Sequence, residues 1–135
     1  MREPLFLTLT EVIEVHTDQI SRYGGGEGVR DFGLLESALA QPEASFGGEW
    51  LHKNAHEMAA AYAYHLCRNH PFIDGNKRAA LACALVFLEL NGIGINDPSG
   101  ALRDAVLDIV SGKMSKPAFA QLLQQLPQSK KGRIP

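Results

Sequence analysis

The run AALACALVFL, residues 79–88, most constrains how this chain folds. It is half of the ~20 residues a membrane-spanning helix needs, and Glu89 closes it. With its neighbours it predicts a helix over 75–90, apolar nearly all round and ended by Asn91 and Gly92. A helix with so little polar surface belongs in the middle of a bundle.

The flanking segments supply the other helices. Thr8 and Glu11 have capping-box spacing, so a first helix runs to about Arg22 with Val12, Ile13, His16 and Ile20 on one face. The triple glycine 24–26 ends it, because glycine tolerates positive φ, and is too simple to be a phosphate loop. Asp31 caps a second helix bearing Leu34, Leu35, Ala38 and Leu39, which Pro42 closes. Residues 43–50 have turn composition suited to a short hairpin or flap.

A third helix starts at about Leu51 or Asn54 and runs to Asn69, with Ala55, Met58, Ala59, Tyr62 and Leu66 in one stripe. Asp97 and Pro98 mark the start of a fifth, with Leu102, Val106, Ile109 and Val110 inward; Ser115 and Pro117 start a sixth, with Phe119, Leu122, Leu123 and Leu126. The expected fold is therefore an all-α, single-domain bundle of about six helices, without internal repeat or central strand. At 135 residues the chain suits one domain, residues 1–126, and PQSKKGRIP at 127–135 reads as a loose, polar, basic tail.

A formal charge of −2, spread along the chain, gives no field directing the protein to nucleic acid or anionic lipid. No signal peptide is recognisable, and Cys67 and Cys83 sit in apolar helical patterns, as reduced thiols of a cytoplasmic protein do. His52 and His56 are four apart but lack a third ligand for zinc, and Trp50, Tyr62 and Tyr64 read as packing residues.

The chemistry concentrates in HPFIDGNKR, residues 70–78. Pro71 stops the third helix, Asp74 and Gly75 turn the chain, and the central helix then begins with unpaired N–H groups and the positive end of its dipole. That is an anion site. Asn76, Lys77 and Arg78 add an amide, a point cation and a bidentate guanidinium, enough to hold a polyphosphate. Asp74 is a natural ligand for a divalent ion, and His70 offers an imidazole to accept a hydroxyl proton. Taken singly, His before Pro is ordinarily a helix end, Asp-Gly a turn and Lys-Arg a solvated face. Two cations at a helix start nevertheless oppose its dipole, which suggests that an anion is meant to arrive. Phe72, between polar neighbours, plugs into the core and fixes the loop.

Taken whole, HPFIDGNKR resembles the signature of the Fic/Doc superfamily, H-x-F-x-[D/E/N]-[A/G]-N-x-R, and the lysine in GNKR resembles its Doc (death on curing) toxin branch. GVRDFGLLESALAQP at 28–42 and ALVFLELNG at 84–92 are also similar to Doc segments, so the likeness covers most of the chain. It implies a protein kinase that transfers the γ-phosphate of ATP to a threonine of translation elongation factor Tu and so halts protein synthesis. His70 would be the general base and Asp74 would hold Mg²⁺. Gly75, Asn76, Lys77 and Arg78 would bind ATP, with Arg78 also stabilising the transferring charge.

Fic enzymes that transfer AMP typically have glycine in place of Lys77 and a second arginine in place of Leu81. AMP transfer is the alternative reaction, and a catalytically silent antitoxin-binding module is the alternative of another class. The family also implies a Phd-type antitoxin whose disordered segment folds into a groove on the toxin. The internal inhibitory pattern [S/T]-x-x-x-E-[G/N] of many Fic proteins is not found, because Trp50 follows Ser45–Glu49 and Val15 follows Thr10–Glu14. Inhibition in trans is thus expected.

Overall fold

The computed structural model describes residues 3–129. In chain order the elements are α1 (Leu9–Tyr23), α2 (Phe32–Ala40), β1 (Ser45–Phe46), β2 (Glu49–Trp50), α3 (Ala55–Asn69), α4 (Asn76–Leu90), α5 (Ala101–Val110) and α6 (Lys116–Gln125). The all-α bundle is as expected, with one small hairpin as its sheet. Among the described residues no helix is long and apolar enough to cross a membrane.

Local chemistry accounts for most helix starts. Thr8 accepts from Glu11 N while Glu11 accepts from Thr8 N, completing the capping box. Asp31, Asn54 and Ser115 accept from the third amide beyond each of them. Leu51 therefore lies before α3. In the hairpin Ser45 pairs with Trp50 and Phe46 with Glu49, while Gly47 and Gly48, at φ 61° and 83°, supply a turn with two positive φ values.

The fifth helix starts later than Asp97–Pro98 suggests. Its first residue is Ala101 and its N-cap is Gly100, at φ 74°. Asp97 still caps it, accepting from Ala101 N and Leu102 N at 2.9 Å each, but reaches across an intervening turn that holds Pro98 outside the helix. The tail expected at 127–135 lies, from residue 130 on, outside the described residues. Residues 127–129 run beside the segment before α5: Asn96 N donates to Pro127 O at 2.8 Å and Ser129 N to Gly94 O at 2.8 Å.

The core centres on α3 and α4, which pack against each other; α1 adds to α4, while α2 and α6 pack on α3. Ala59, Ala60, Ala61 and Ala63 of α3 and Ala79, Ala80 and Ala84 of α4 are buried, so the two backbones approach closely without bulky side chains between them. Tyr62, Phe72, Phe87 and Phe119 fill the remaining volume. Burial pushes the thiols of Cys67 and Cys83 up to about 12, which leaves them unreactive.

The central helix is not covered on every side. Leu81, Ala82 and Leu85 are only half-buried, and Val86 and Leu90 are exposed. This uncovered stripe, lying between α1 and α5, explains why a helix apolar nearly all round fits at the margin of a cleft.

Candidate active site

α3 ends because Pro71 follows His70. The His70 N–H still closes on Leu66 O at 3.2 Å, and its φ and ψ are both 53°, the left-handed region. Among the described residues it is the one non-glycine with positive φ. Such backbone costs an L-residue ~1–2 kcal/mol, so its surroundings must impose it. The imidazole is exposed and makes no hydrogen bond among the described residues.

The loop beyond is anchored from three sides. Phe72 is buried at the inner end, its ring stacked on that of His16 at 3.8 Å between centroids. His16 is buried too, and its Nε2 donates to the Asp74 carbonyl at 2.7 Å. The segment ahead of α2 supplies the second brace: Ile73 N donates to Gly28 O at 3.0 Å, while Arg30 N donates to Pro71 O at 2.7 Å. Asn76 is the third. Its Oδ1 accepts from Phe72 N and its Nδ2 donates to Phe72 O, both at 2.9 Å.

Asn76 is thus spent on the loop. The sequence suggests an amide offered to phosphate, but the side chain is 4% exposed and matched on both polar atoms by one residue's backbone. What Asn76 offers outward is its main-chain N–H.

Asp74 is exposed, and its carboxylate is fixed by backbone. Gly26 N donates to Oδ2 at 3.1 Å and Gly75 N to Oδ1 at 2.8 Å. These two donors, Gly26 first, hold its carboxyl below the usual carboxylate range, with a smaller contribution from the Arg78 charge. The triple glycine therefore clasps the acid as well as ending α1. A Cβ on Gly25 would stand 2.8 Å from Asp74 Oδ2. On Gly75, at φ 73°, it would stand 3.0 Å from Ile20 Cδ1.

α4 then starts with glycine as N-cap and no side-chain cap, so its first amides are unpaired among the described residues. Lys77 and Arg78 stand there exposed, and neither belongs to an ion pair among the described residues. The Arg78 guanidinium lies 5.1 Å from the centroid of the Tyr23 ring. His70, Asp74, Gly75, Asn76, Lys77 and Arg78, the residues singled out from the sequence, all line one cleft of about 730 Å³. Its other walls come from α1, the uncovered side of α4 and α5.

The residues present suit a magnesium–polyphosphate. No group of three or more His, Cys, Asp or Glu gathers for a metal among the described residues, but Asp74 stands ionised beside an uncapped helix start and two unpaired cations. Magnesium takes one or two carboxylates and completes its shell with water and phosphate oxygens, which matches this sparse set. Three contributors lie far outside the motif: His16, Arg30, and the Gly25–Gly26 pair. For His16 the sequence signal was a polar residue in step with Val12 and Ile20 on an inward stripe.

Fold and site together define a small, mostly helical protein whose central helix starts uncapped in a cleft beside an imidazole and a carboxylate, an arrangement suited to an anion. The chain belongs to the Fic/DOC family, whose family model matches residues 6–88. Among curated relatives, the protein named Protein kinase doc from Escherichia phage P1 is 36% identical over 116 residues, covering 86% of this chain and 90% of that protein. The protein named Toxin Doc from Mycolicibacterium smegmatis is 45% identical over 71 residues, 53% of this chain and 55% of that one.

Proposed function

We propose that this chain is the toxin of a toxin–antitoxin pair, a protein kinase that moves the γ-phosphate of ATP to a threonine of translation elongation factor Tu in the cytoplasm. The observation that carries the reading is the meeting, in one cleft, of His70, a clasped and ionised Asp74, and an uncapped α4 start bearing two unpaired cations. The relative named as a protein kinase, similar along most of the chain, supports phosphate transfer.

Each residue has a derivable task. The α4 amides of Asn76, Lys77 and Arg78 donate to phosphate oxygens, and the Lys77 and Arg78 side chains balance the charge spread over them in transfer. His70 takes the proton of the threonine hydroxyl as its oxygen bonds to the γ-phosphorus. The bond from that phosphorus to the β–γ bridging oxygen breaks, and ADP leaves. Asp74 would hold Mg²⁺, which when bound supplies charge neutralisation to the phosphates.

The uncovered side of α4 supports a further element of the reading, an antitoxin segment that folds on binding. Leu7, Val15, Ala82, Val86 and Leu90, with Glu11, Glu14 and Asp18 along the α1 side, line a groove of about 370 Å³ that shares Gln19 and Ala82 with the larger cleft. An amphipathic helix laid there would bury apolar stripe on apolar stripe.

The test is incubation of the protein and purified elongation factor Tu with ATP labelled at either the α- or the γ-phosphate. γ-Label entering the factor is expected, with none after His70→Ala. α-Label entering instead would replace the kinase by an AMP transferase, and no label from either would favour a silent binding module.

A further inference from the structure

We propose that Arg30 is the positioning residue of this site: its guanidinium grips the His70 carbonyl and thereby aims the His70 imidazole into the cleft. The inference rests on the reading of His70 as the proton acceptor.

Both Nε and Nη2 of Arg30 donate to His70 O, at 2.9 and 2.6 Å, and Nη2 also donates to Asn69 O at 3.2 Å. The main chain closes the same joint, since Arg30 N and Asp31 N both donate to Pro71 O, at 2.7 and 3.1 Å. Arg30 forms no ion pair with a carboxylate among the described residues, so its fork serves carbonyls alone.

Those carbonyls are the terminal ones of α3, where the helix dipole is negative and a cation is favoured. His70 cannot continue the helix because Pro71 follows, and its left-handed backbone is costly. Two charge-assisted bonds converging on its carbonyl oxygen oppose that cost and fix the peptide plane. Since Cα lies in that plane, and the His70 ψ of 53° fixes the Cα–Cβ bond relative to it, the direction of the imidazole is set from behind by a residue that does not touch the substrate. Lysine would supply charge without the fork, so the chemistry asks for arginine.

The experiment compares Arg30→Met, which keeps the aliphatic stem, with Arg30→Lys and with Asp31→Ala. The last loosens the same segment by removing the α2 cap, while leaving the His70 carbonyl gripped. In γ-phosphate transfer, kcat of Arg30→Met is expected to fall about tenfold to a hundredfold with KM for ATP unchanged, because the phosphates are held by α4. Arg30→Lys should fall between it and the wild type, and it carries the test if Arg30→Met does not fold. A kcat drop no larger than that of Asp31→Ala would overturn the proposal.

If the wild-type chain transfers nothing, the decision passes to NMR. The His70 Cα and carbonyl shifts should leave left-handed values in the Arg30 variants and keep them in Asp31→Ala. Unchanged shifts in the Arg30 variants would sink the positioning role independently of any kinase activity.

Discussion

The His16 imidazole lies flat on the Phe72 ring, with centroids 3.8 Å apart and planes 5° from parallel. The same ring donates from Nε2 to the Asp74 carbonyl, an atom that only accepts, so this nitrogen carries the proton. One side chain of α1 thus ties together the buried and the exposed ends of the motif loop. His16→Phe keeps the stack and leaves the carbonyl without its donor, which should cost about 1–3 kcal/mol. His16→Ala should cost more, since the ring volume is lost as well. Urea unfolding measures both. Equal midpoints for the two variants would mean that the stack contributes nothing.

Gly25 and Gly24 separate backbone strain from steric intrusion on the acid. Both have positive φ, 117° and 88°, but a Cβ on Gly24 meets nothing within 4 Å, whereas one on Gly25 stands 2.8 Å from Asp74 Oδ2. Gly24→Ala should cost stability alone. Gly25→Ala should in addition displace the carboxylate from Gly26 N, letting the Asp74 carboxyl rise towards its ordinary range. Carboxyl NMR titration of the two variants reads the difference; matching Asp74 titrations in both would show that Gly25 leaves room for a side chain.

The fold was legible where its causes are local. Thr8 with Glu11, Asp31, Asn54 and Ser115 are caps whose partners lie three residues away, so spacing reveals them. Asp97 was legible as a cap but not as the helix start, because its bonds reach four and five residues onward. Within the site, the groups of residues 70–78 were visible as chemistry and their shared cleft was not. The residues that hold them come from far along the chain: His16 is 58 positions from Asp74, and Arg30 is 40 from His70. A single sequence carries no periodicity for such contacts. Even inside the motif, the inward turn of Asn76 depends on where Phe72 sits, which packing decides.

Acid should weaken the fold through three histidines, His52 just ahead of α3 and His56 and His65 within it. His65 Nε2 lies 2.9 Å from Lys116 Nζ; burial, then the charges of Lys116 and His52, push the His65 ring down to about 4. His52 and His56 are lowered too, burial leading in each, with Glu57 partly opposing at His52. An imidazole in the unfolded chain takes its proton near pH 6.5, so between about 6.5 and 4 the unfolded state binds more protons. Stability is then full above pH 6.5 and falls as pH drops through that window. For His65 the loss is about 1–2 kcal/mol, after halving the full shift for the solvent still reaching the ring. Denaturant midpoints from pH 7.5 to 4.5 check this, and His65→Gln should flatten the slope. A midpoint constant across that range would show that the three rings charge freely in the folded chain.

Asn76 yields a prediction of opposite sign. Its amide is 4% exposed and satisfies Phe72 N and Phe72 O together, so Asn76→Ala leaves two buried backbone groups unmatched, about 2–4 kcal/mol. Asn76→Asp is nearly isosteric and should be no milder at neutral pH. One carboxylate oxygen still accepts from Phe72 N, but the other faces the Phe72 carbonyl, acceptor against acceptor. The helix start favours a negative charge by only about 0.3–1 kcal/mol, too little to offset that clash and the burial of the charge. Protonation supplies the missing donor, so the folded state raises the pKa of the introduced carboxyl. This variant should therefore regain stability, relative to wild type, as pH falls towards 5. Transfer, expressed as a ratio to wild type at the same pH, should follow the same course, because the loop that carries His70 and Asp74 is clamped through this amide. A stability deficit that stays constant or widens in acid would mean that the clamp depends on shape and not on the donor–acceptor match.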